Sequence, residues 1–347
     1  MMAVDLRARK DESGVKPAMF KGVLRGGRDS MRDLWMGGLL VVLIVGFGLK
    51  SPAFFSRASW LNTSNTGLEV LLVGIGETFV ICTAGIDLSV GANLGFSSMV
   101  GAWAMTHWFT LGSGSNVMVV VVGFAVALIF ASLLGALNGA LVAWANVPPF
   151  VVTLGTLGIA TGLADLLNGG QEISAIPSSI AKIGNANIGG WIPVPVAMGA
   201  VVTIILAFVL AKTKFGAHTL SLGDSREAVV RAGINDKMHL FKVYVLAGLL
   251  AGIAGIVVMG RLGAASPTSG ATDNLSAIAA VVIGGTSLFG GRGSVLGTVF
   301  GTGIIAVLLT GLIVINVPPF WQEVAVGAVL IAAVYLDQMR GRKRAVA

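Results

Sequence analysis

Long runs of apolar residues, separated by short polar stretches, dominate the chain. A bilayer core of about 30 Å is crossed by about 20 mainly apolar helical residues. That ruler predicts ten spans, near 34–50, 66–84, 88–109, 116–142, 147–167, 191–211, 239–261, 274–289, 294–315 and 317–336. Helix is the assignment for each, because in lipid a helix satisfies its own backbone polar groups. The polar-in, apolar-out alternation of a membrane β-barrel is absent. The expected fold class is therefore all-α, a polytopic membrane helix bundle of about ten transmembrane helices. It reads as a basic tail over 1–33, one transmembrane domain over 34–336 with a loop at 212–238, and a second basic tail over 337–347.

Composition supports this reading. Of 347 residues, 55% are hydrophobic and 11% charged, against roughly 25% charged in an ordinary soluble domain. Mean hydropathy is +0.89. The 49 glycines suit close helix packing, and small-xxx-small pairs recur at Gly91/Gly95, Gly135/Gly139, Gly158/Gly162, Gly248/Gly252 and Gly297/Gly301. The net charge of +7 gathers in the N-terminal tail, the 212–242 stretch and the C-terminus. Aromatics are not interleaved with it as a nucleic-acid platform requires, so the expected surroundings are a lipid bilayer and no nucleic acid. Placing both termini in the cytoplasm leaves only Lys50, Arg57, Lys182 and Arg261 of the 23 Lys and Arg outside, as the positive-inside rule favours. The expected location is a bacterial cytoplasmic membrane. No small-residue cleavage site follows the first apolar run, so that run is expected to be the first span and not a signal peptide.

One sequence echo bears on architecture. Asn146-Val147-Pro148-Pro149-Phe150 recurs as Asn316-Val317-Pro318-Pro319-Phe320, each at the start of a predicted span. Five spans separate the copies, as in an inverted 5+5 repeat. The alternative is the general preference of proline for a first helical turn.

Candidate chemistry is sparse. Cys82 is the single cysteine, which leaves no disulfide framework and no cysteine metal site. The glycine-rich stretch Gly284–Ser294 lacks the Gly-Lys-Ser/Thr ending of a phosphate-binding loop. No zinc-protease helix, nucleophile elbow or paired carboxylates within one span are present, so a non-catalytic chain with no metal or cofactor of its own is expected. Charges inside spans are costly and are default functional suspects. Glu77 is the clearest, with Glu69 two turns earlier and Asp165 and Glu323 nearer span ends. Either an aqueous path or a buried helix break accounts for Glu77. Asp87 and Ser89, in Gly85-Ile86-Asp87-Leu88-Ser89-Val90-Gly91, fit either a cap on the third span or a solute contact. Asn93, Thr153, Thr156, Gln171 and Glu172 complete the polar candidates, and a path of such hydroxyls and amides suits a neutral sugar.

The 212–238 loop centres on Gly223-Asp224-Ser225-Arg226-Glu227-Ala228, with Gly233 beyond. Asp224 or Ser225 can cap a short helix, Glu227 sits in its favourable first turn and Gly233 ends it. Such a helix is either a solvated connector or a docking element that receives force from a cytoplasmic partner.

These segments, with Thr83–Gly91, Pro149–Thr156, Arg261–Thr268 and Ala277–Gly293, give the chain its resemblance to the ribose-type permeases of bacterial ABC importers, in the branched-chain-amino-acid/ribose superfamily. The resemblance spans residues 83–293. It implies a permease working with a second copy or close paralogue, an extracytoplasmic solute-binding protein, and a cytoplasmic ATPase with two fused nucleotide-binding modules that holds the ATP and Mg. Gly223–Gly233 would be the coupling helix, and transport would proceed by alternating access at the interface of two membrane subunits. One departure stands out: Asn274 and Ser276 occupy positions where relatives carry acids, with Asp273 one place earlier. The expected solute is a pentose, hexose, polyol or furanose-like signal such as autoinducer-2. Two competing readings are an autonomous secondary transporter or channel, which would need coupling-ion ligands in broken helices, and an intramembrane enzyme.

Overall fold

The structure, a computed structural model, describes residues 26–107 and 116–345. Within them lie thirteen α-helices, one short 3-10 helix (Pro52–Phe55) and one two-stranded hairpin. The predicted spans correspond to α1 (Gly26–Lys50), α2 (Arg57–Cys82), α3 (Val90–His107), α4 (Asn116–Ala143), α5 (Pro149–Asn168), α7 (Val194–Lys212), α10 (Asp236–Leu262), α11 (Asp273–Ile283), α12 (Val295–Val314) and α13 (Pro319–Ala345). Between them lie α6 (Ser178–Gly184), β1 (Asn187–Ile188), β2 (Ile192–Pro193), α8 (Lys214–Asp224) and α9 (Arg226–Arg231). The all-α membrane bundle is what the apolar runs lead one to expect.

Length and apolarity suffice to cross a membrane in α2, α4, α5, α7, α10 and α12, while α1, α11 and α13 carry shorter apolar stretches. Several boundaries differ from the sequence ruler for physical reasons. Helix α2 starts well before residue 66, because Ser56 accepts a hydrogen bond from Ser59 N–H (3.2 Å) and caps a polar first turn. In place of the span expected over 274–289, α11 has only eleven residues, Asp273–Ile283, about 16 Å at 1.5 Å per residue, because Gly284 and Gly285 turn the chain. The tail expected over 337–347 continues α13 to Ala345. Residues 1–25 of the N-terminal tail and residues 108–115 lie outside the described residues.

Helices α3 and α11 define the centre of the bundle. The chain leaves α2 and re-enters the bundle through residues 83–89 before α3 begins. It leaves α10 and re-enters through residues 263–272 before α11 begins. The two helix starts meet: Asn274 Nδ2 donates to the Leu88 carbonyl at 2.8 Å, and Gly91 and Gly270 touch so closely that a Cβ on either would strike the other's carbonyl oxygen. From that shared point α11 runs to the face that holds Gly223 and Gly291, while α3 runs the opposite way.

Opposed direction is what inverted copies require, and the packing agrees. Helix α3 packs on α4, α5 and α10, and α11 packs on α12, α13 and α2. Helix α4 lies along α10 as α12 lies along α2. The two Asn-Val-Pro-Pro-Phe copies share a local geometry as well. Asn146 (φ 54°) and Asn316 (φ 59°) both adopt the left-handed conformation, and both following valines bond back to the preceding helix. The echo is thus a structural repeat as well as a proline preference. Helices α1 and α7 depart from the correspondence, since α1 lies on α12 and α7 on α2.

Four of the five small-residue pairs sit in helix contacts: a Cβ on Gly135 would meet the Tyr244 carbonyl and the backbone of Gly248. The pair Gly158/Gly162 does not, because a Cβ on either would meet nothing within 4 Å among the described residues. The contrast is testable. Gly135→Leu should lower the thermal midpoint in detergent, since overpacking a tight contact costs typically 1–3 kcal/mol, whereas Gly158→Leu should leave the single chain's unfolding midpoint unchanged.

Candidate functional site

The turn between α2 and α3 assembles most of the polar groups inside the bundle. Helix α2 ends as Thr83 Oγ1 donates to the Val80 carbonyl (2.7 Å). Ala84 then takes a left-handed conformation (φ 63°). Gly85 follows where a Cβ would stand 2.7 Å from the Tyr244 hydroxyl oxygen, so a larger residue would displace that hydroxyl. The chain next runs back alongside α2, and the Asp87 backbone N–H donates to Glu77 Oε1 (3.1 Å). Asp87 Oδ1 accepts from both the N–H (2.8 Å) and the hydroxyl (2.6 Å) of Ser89. Asn138 of α4 donates from Nδ2 to Ser89 Oγ (2.8 Å) and, at 3.4 Å, to Asp87 Oδ2. Thr153 of α5 closes the ring with a bond to the Ile86 carbonyl (3.2 Å).

All of these side chains are buried, and neither carboxylate has an ion-pair partner among the described residues. Glu77 Oε2, Asn138 Oδ1 and the Tyr244 hydroxyl also lack hydrogen-bond partners. Unsatisfied buried polar atoms call for an explanation, and here they leave spare acceptors and a hydroxyl converging on one turn. The cluster can hold the re-entrant chain in place. In an opened state it could also offer hydrogen bonds to a neutral polar solute.

Of six of the polar candidates read from sequence, Glu77, Asp87, Ser89, Asn93, Thr153 and Thr156, the first three come together and Thr153 touches their turn. Asn93 lies apart, donating to the Ala131 carbonyl of α4 (3.0 Å). The Thr156 hydroxyl is spent on carbonyls of its own helix (3.2 Å to Val152). None of the six borders an open path in this structure, since all are buried. Asn138 was missed, although an amide within an otherwise apolar run is a recognisable signal.

A second charged group joins the opposite half of the bundle. Arg261, at the end of α10, places Nε 3.0 Å from Glu69 Oε1 of α2, with Asp273 of α11 within its electrostatic reach. The Arg261–Glu69 contact is close but off the hydrogen-bond line. The neighbour of Asp273, Asn274, faces Leu88.

The 212–238 segment holds two helices where one was expected. Thr213 breaks the chain after α7 and caps α8, accepting from Gly216 N–H (3.4 Å). Ser225, not Asp224, caps α9, accepting from Ala228 N–H (3.3 Å). Gly233 (φ 77°) ends the turn after α9. Val229 roots α9 in a small core with Leu222, Leu240 and Ala143. Outward, Glu227 and Arg231 pair across one turn with side chains 85% and 82% exposed. Arg226 binds Asp236 at 2.6 Å, which ties α9 to the start of α10. Gly223 sits where a Cβ would collide with the Cys82 carbonyl and Gly291 N.

Comparison with known proteins settles the family. Residues 59–334 match the family described as "Branched-chain amino acid transport system / permease component". The chain belongs to this permease family. It is 36% identical over 302 residues to the D-allose transport system permease protein AlsC of Escherichia coli (strain K12), covering 87% of this chain and 90% of that protein. It is 34% identical over 310 residues to the ribose import permease protein RbsC of Haemophilus influenzae, covering 88% and 93%. It is 31% identical over 337 residues to the probable ABC transporter permease protein y4mJ of Sinorhizobium fredii, covering 96% and 97%. No solved structure matches the chain. Like its relatives, this permease is a multi-pass membrane protein.

The bonding pattern separates the two acids of the turn. Asp87→Ala removes the acceptor of the Ser89 N–H and should destabilise the permease by about 1–3 kcal/mol. Glu77→Gln keeps an acceptor for the Asp87 N–H and should cost less. Unfolding midpoints of the two variants in one detergent provide the check.

Proposed function

We propose that this chain is the membrane-spanning permease subunit of an ATP-driven importer for a sugar or sugar-like solute. The observation that carries the reading is α9: a short, capped helix with an outward charged pair, rooted by Val229 beneath and tied by Arg226 to α10. A mere connector needs no such rigid mounting. A docking element must be rigid, because force applied to a loose loop is lost in the loop. Gly223, Asp224, Ser225, Arg226, Glu227, Ala228 and Gly233 form this element in our reading, seated on a cytoplasmic ATPase with two fused nucleotide-binding modules. ATP and Mg belong to that partner. Both termini and the α8–α9 face would then lie in the cytoplasm of a bacterial cell, in agreement with the distribution of Lys and Arg.

The remaining partners follow from the same reading. An extracytoplasmic binding protein would deliver the solute to the face opposite α9, and a second copy or close paralogue would complete the membrane unit. Support for the second copy comes from α5, where a Cβ on Gly155, Gly158 or Gly162 would meet nothing within 4 Å among the described residues. Leu154 and Ile159 beside them are each 49% exposed. Small residues let helix backbones approach closely in lipid, and α5 offers that surface uncovered. The cluster around Glu77, Asp87 and Ser89, one helix layer behind it, would be exposed by alternating access. The sugar class is carried by the relatives, whose names include allose and ribose transport, and by the prevalence of hydroxyl and amide groups in the bundle interior.

The coupling assignment makes a sharp prediction for uptake by the assembled importer in vesicles. Glu227→Arg reverses the exposed charge, and Gly233→Trp puts a bulky side chain at a left-handed position that disfavours it. Each should abolish ATP-driven uptake while the permease remains folded and inserted. Normal uptake in both variants would remove α9 from the coupling role.

A further inference from the structure

A backbone contact joins the α8–α9 element to the intramembrane turn, and every step of it is tight. The Gly291 N–H donates to the Cys82 carbonyl at 3.0 Å. Gly223 of α8 lies against both atoms, so close that a Cβ would overlap each of them. Gly290 and Gly291 are both left-handed (φ 80° and 72°). A Cβ on Gly290 would stand 2.9 Å from Ala84 N and from Gly223 Cα, and one on Gly291 would stand 3.1 Å from Asp224 Cα. Three separate stretches of chain thus meet backbone to backbone: the end of α2, the α11–α12 turn and the end of α8.

The position of this contact gives it a consequence. Asp224 is followed directly by Ser225, the cap of α9. Cys82 and Ala84 are followed directly by the Ile86–Ser89 stretch that Glu77, Asn138 and Thr153 hold. No flexible side chain intervenes. Packed interiors transmit displacement because they deform little, and backbone contacts between glycines leave no rotamer to absorb it.

We infer that the contact of Gly223 with the Cys82 carbonyl and Gly291 is the element that carries motion of α9 to the re-entrant turn at Asp87. Gly223 and Gly291 are on this account positioning residues: they touch no solute and act through the turn. The inference rests on the importer reading above and adds the route by which docking reaches the solute path.

The test uses the permease purified with its ATPase and reconstituted with its binding protein. Solute moved per ATP hydrolysed is compared for the unmodified complex, Gly290→Ala and Gly291→Ala. Both variants should assemble and hydrolyse ATP within about twofold of the unmodified complex, while solute moved per ATP falls about tenfold, within the range of ordinary coupling free energies. A purely structural role would instead lower assembly, hydrolysis and uptake together, and that pattern would overturn the inference.

Independently of the variants, the unmodified chain supplies its own probe, because Cys82 is its single cysteine and is buried at the contact. Alkylation of Cys82 by N-ethylmaleimide, read on its peptide by mass spectrometry, should differ several-fold between the nucleotide-free and the ATP–vanadate-trapped complex. Equal alkylation in both states would overturn the inference. So would normal coupling in both glycine variants, with the importer reading left intact. An unmodified complex that moves no solute with ATP would instead remove the importer reading, and the inference with it.

Discussion

The Asp87 carboxylate, buried and bonded to the N–H and hydroxyl of Ser89, is the constraint around which this bundle is organised. A chain that turns back inside a membrane protein exposes backbone groups that no helix satisfies, and such groups are tolerated only where protein covers them. Asp87 supplies one side of that cover, Glu77 a second by accepting from the Asp87 N–H, and Asn138 and Thr153 a third. With the turn fixed, α3 starts at the centre of the bundle and packs on α4, α5 and α10. The start of α3 in turn fixes α11, through Asn274 and the Gly91–Gly270 approach.

Close backbone approach is the second organising theme. Without water between helices, packing and small residues drive their association. The α4–α10 contact, the meeting of α3 with α11 and the joint beneath α9 all depend on glycines where a Cβ would collide with backbone. The exception is informative. At Gly155, Gly158 and Gly162 of α5 a Cβ would meet nothing within 4 Å among the described residues. Three closely spaced glycines of one helix are thus uncovered by the described residues, which is why a second membrane subunit enters our account.

Much of this was legible in the sequence, because the solvent imposes simple rules. Apolar length located the spans, and the Asn-Val-Pro-Pro-Phe echo located the repeat. Glycine and proline marked many helix ends. The ruler failed where polarity and helix coexist: it cut the polar first turns of α2 and left residues 214–224, which form α8, in a loop. It also extended α11 through Gly284, because an apolar run does not reveal where a helix breaks. Glu77, Asp87 and Ser89 were recognisable individually, since charge is rare in such segments. Their association with Asn138 was not, because it depends on how α4 is rotated against the turn. Likewise Arg261 and Glu69 meet only because α2 and α10 pack together. Asn274 looked like the loss of an acid, yet it has its own bond to Leu88.

The central claim, that this permease passes force from an ATPase to a solute path, is tested most directly by affinity purification of the tagged chain from its native membranes in mild detergent. The account predicts a stoichiometric ATPase carrying two phosphate-binding loops, lost when Glu227 and Arg231 on α9 are both changed to alanine. A clean, monodisperse permease with no nucleotide-binding partner, active in ion-driven flux without ATP, would contradict it.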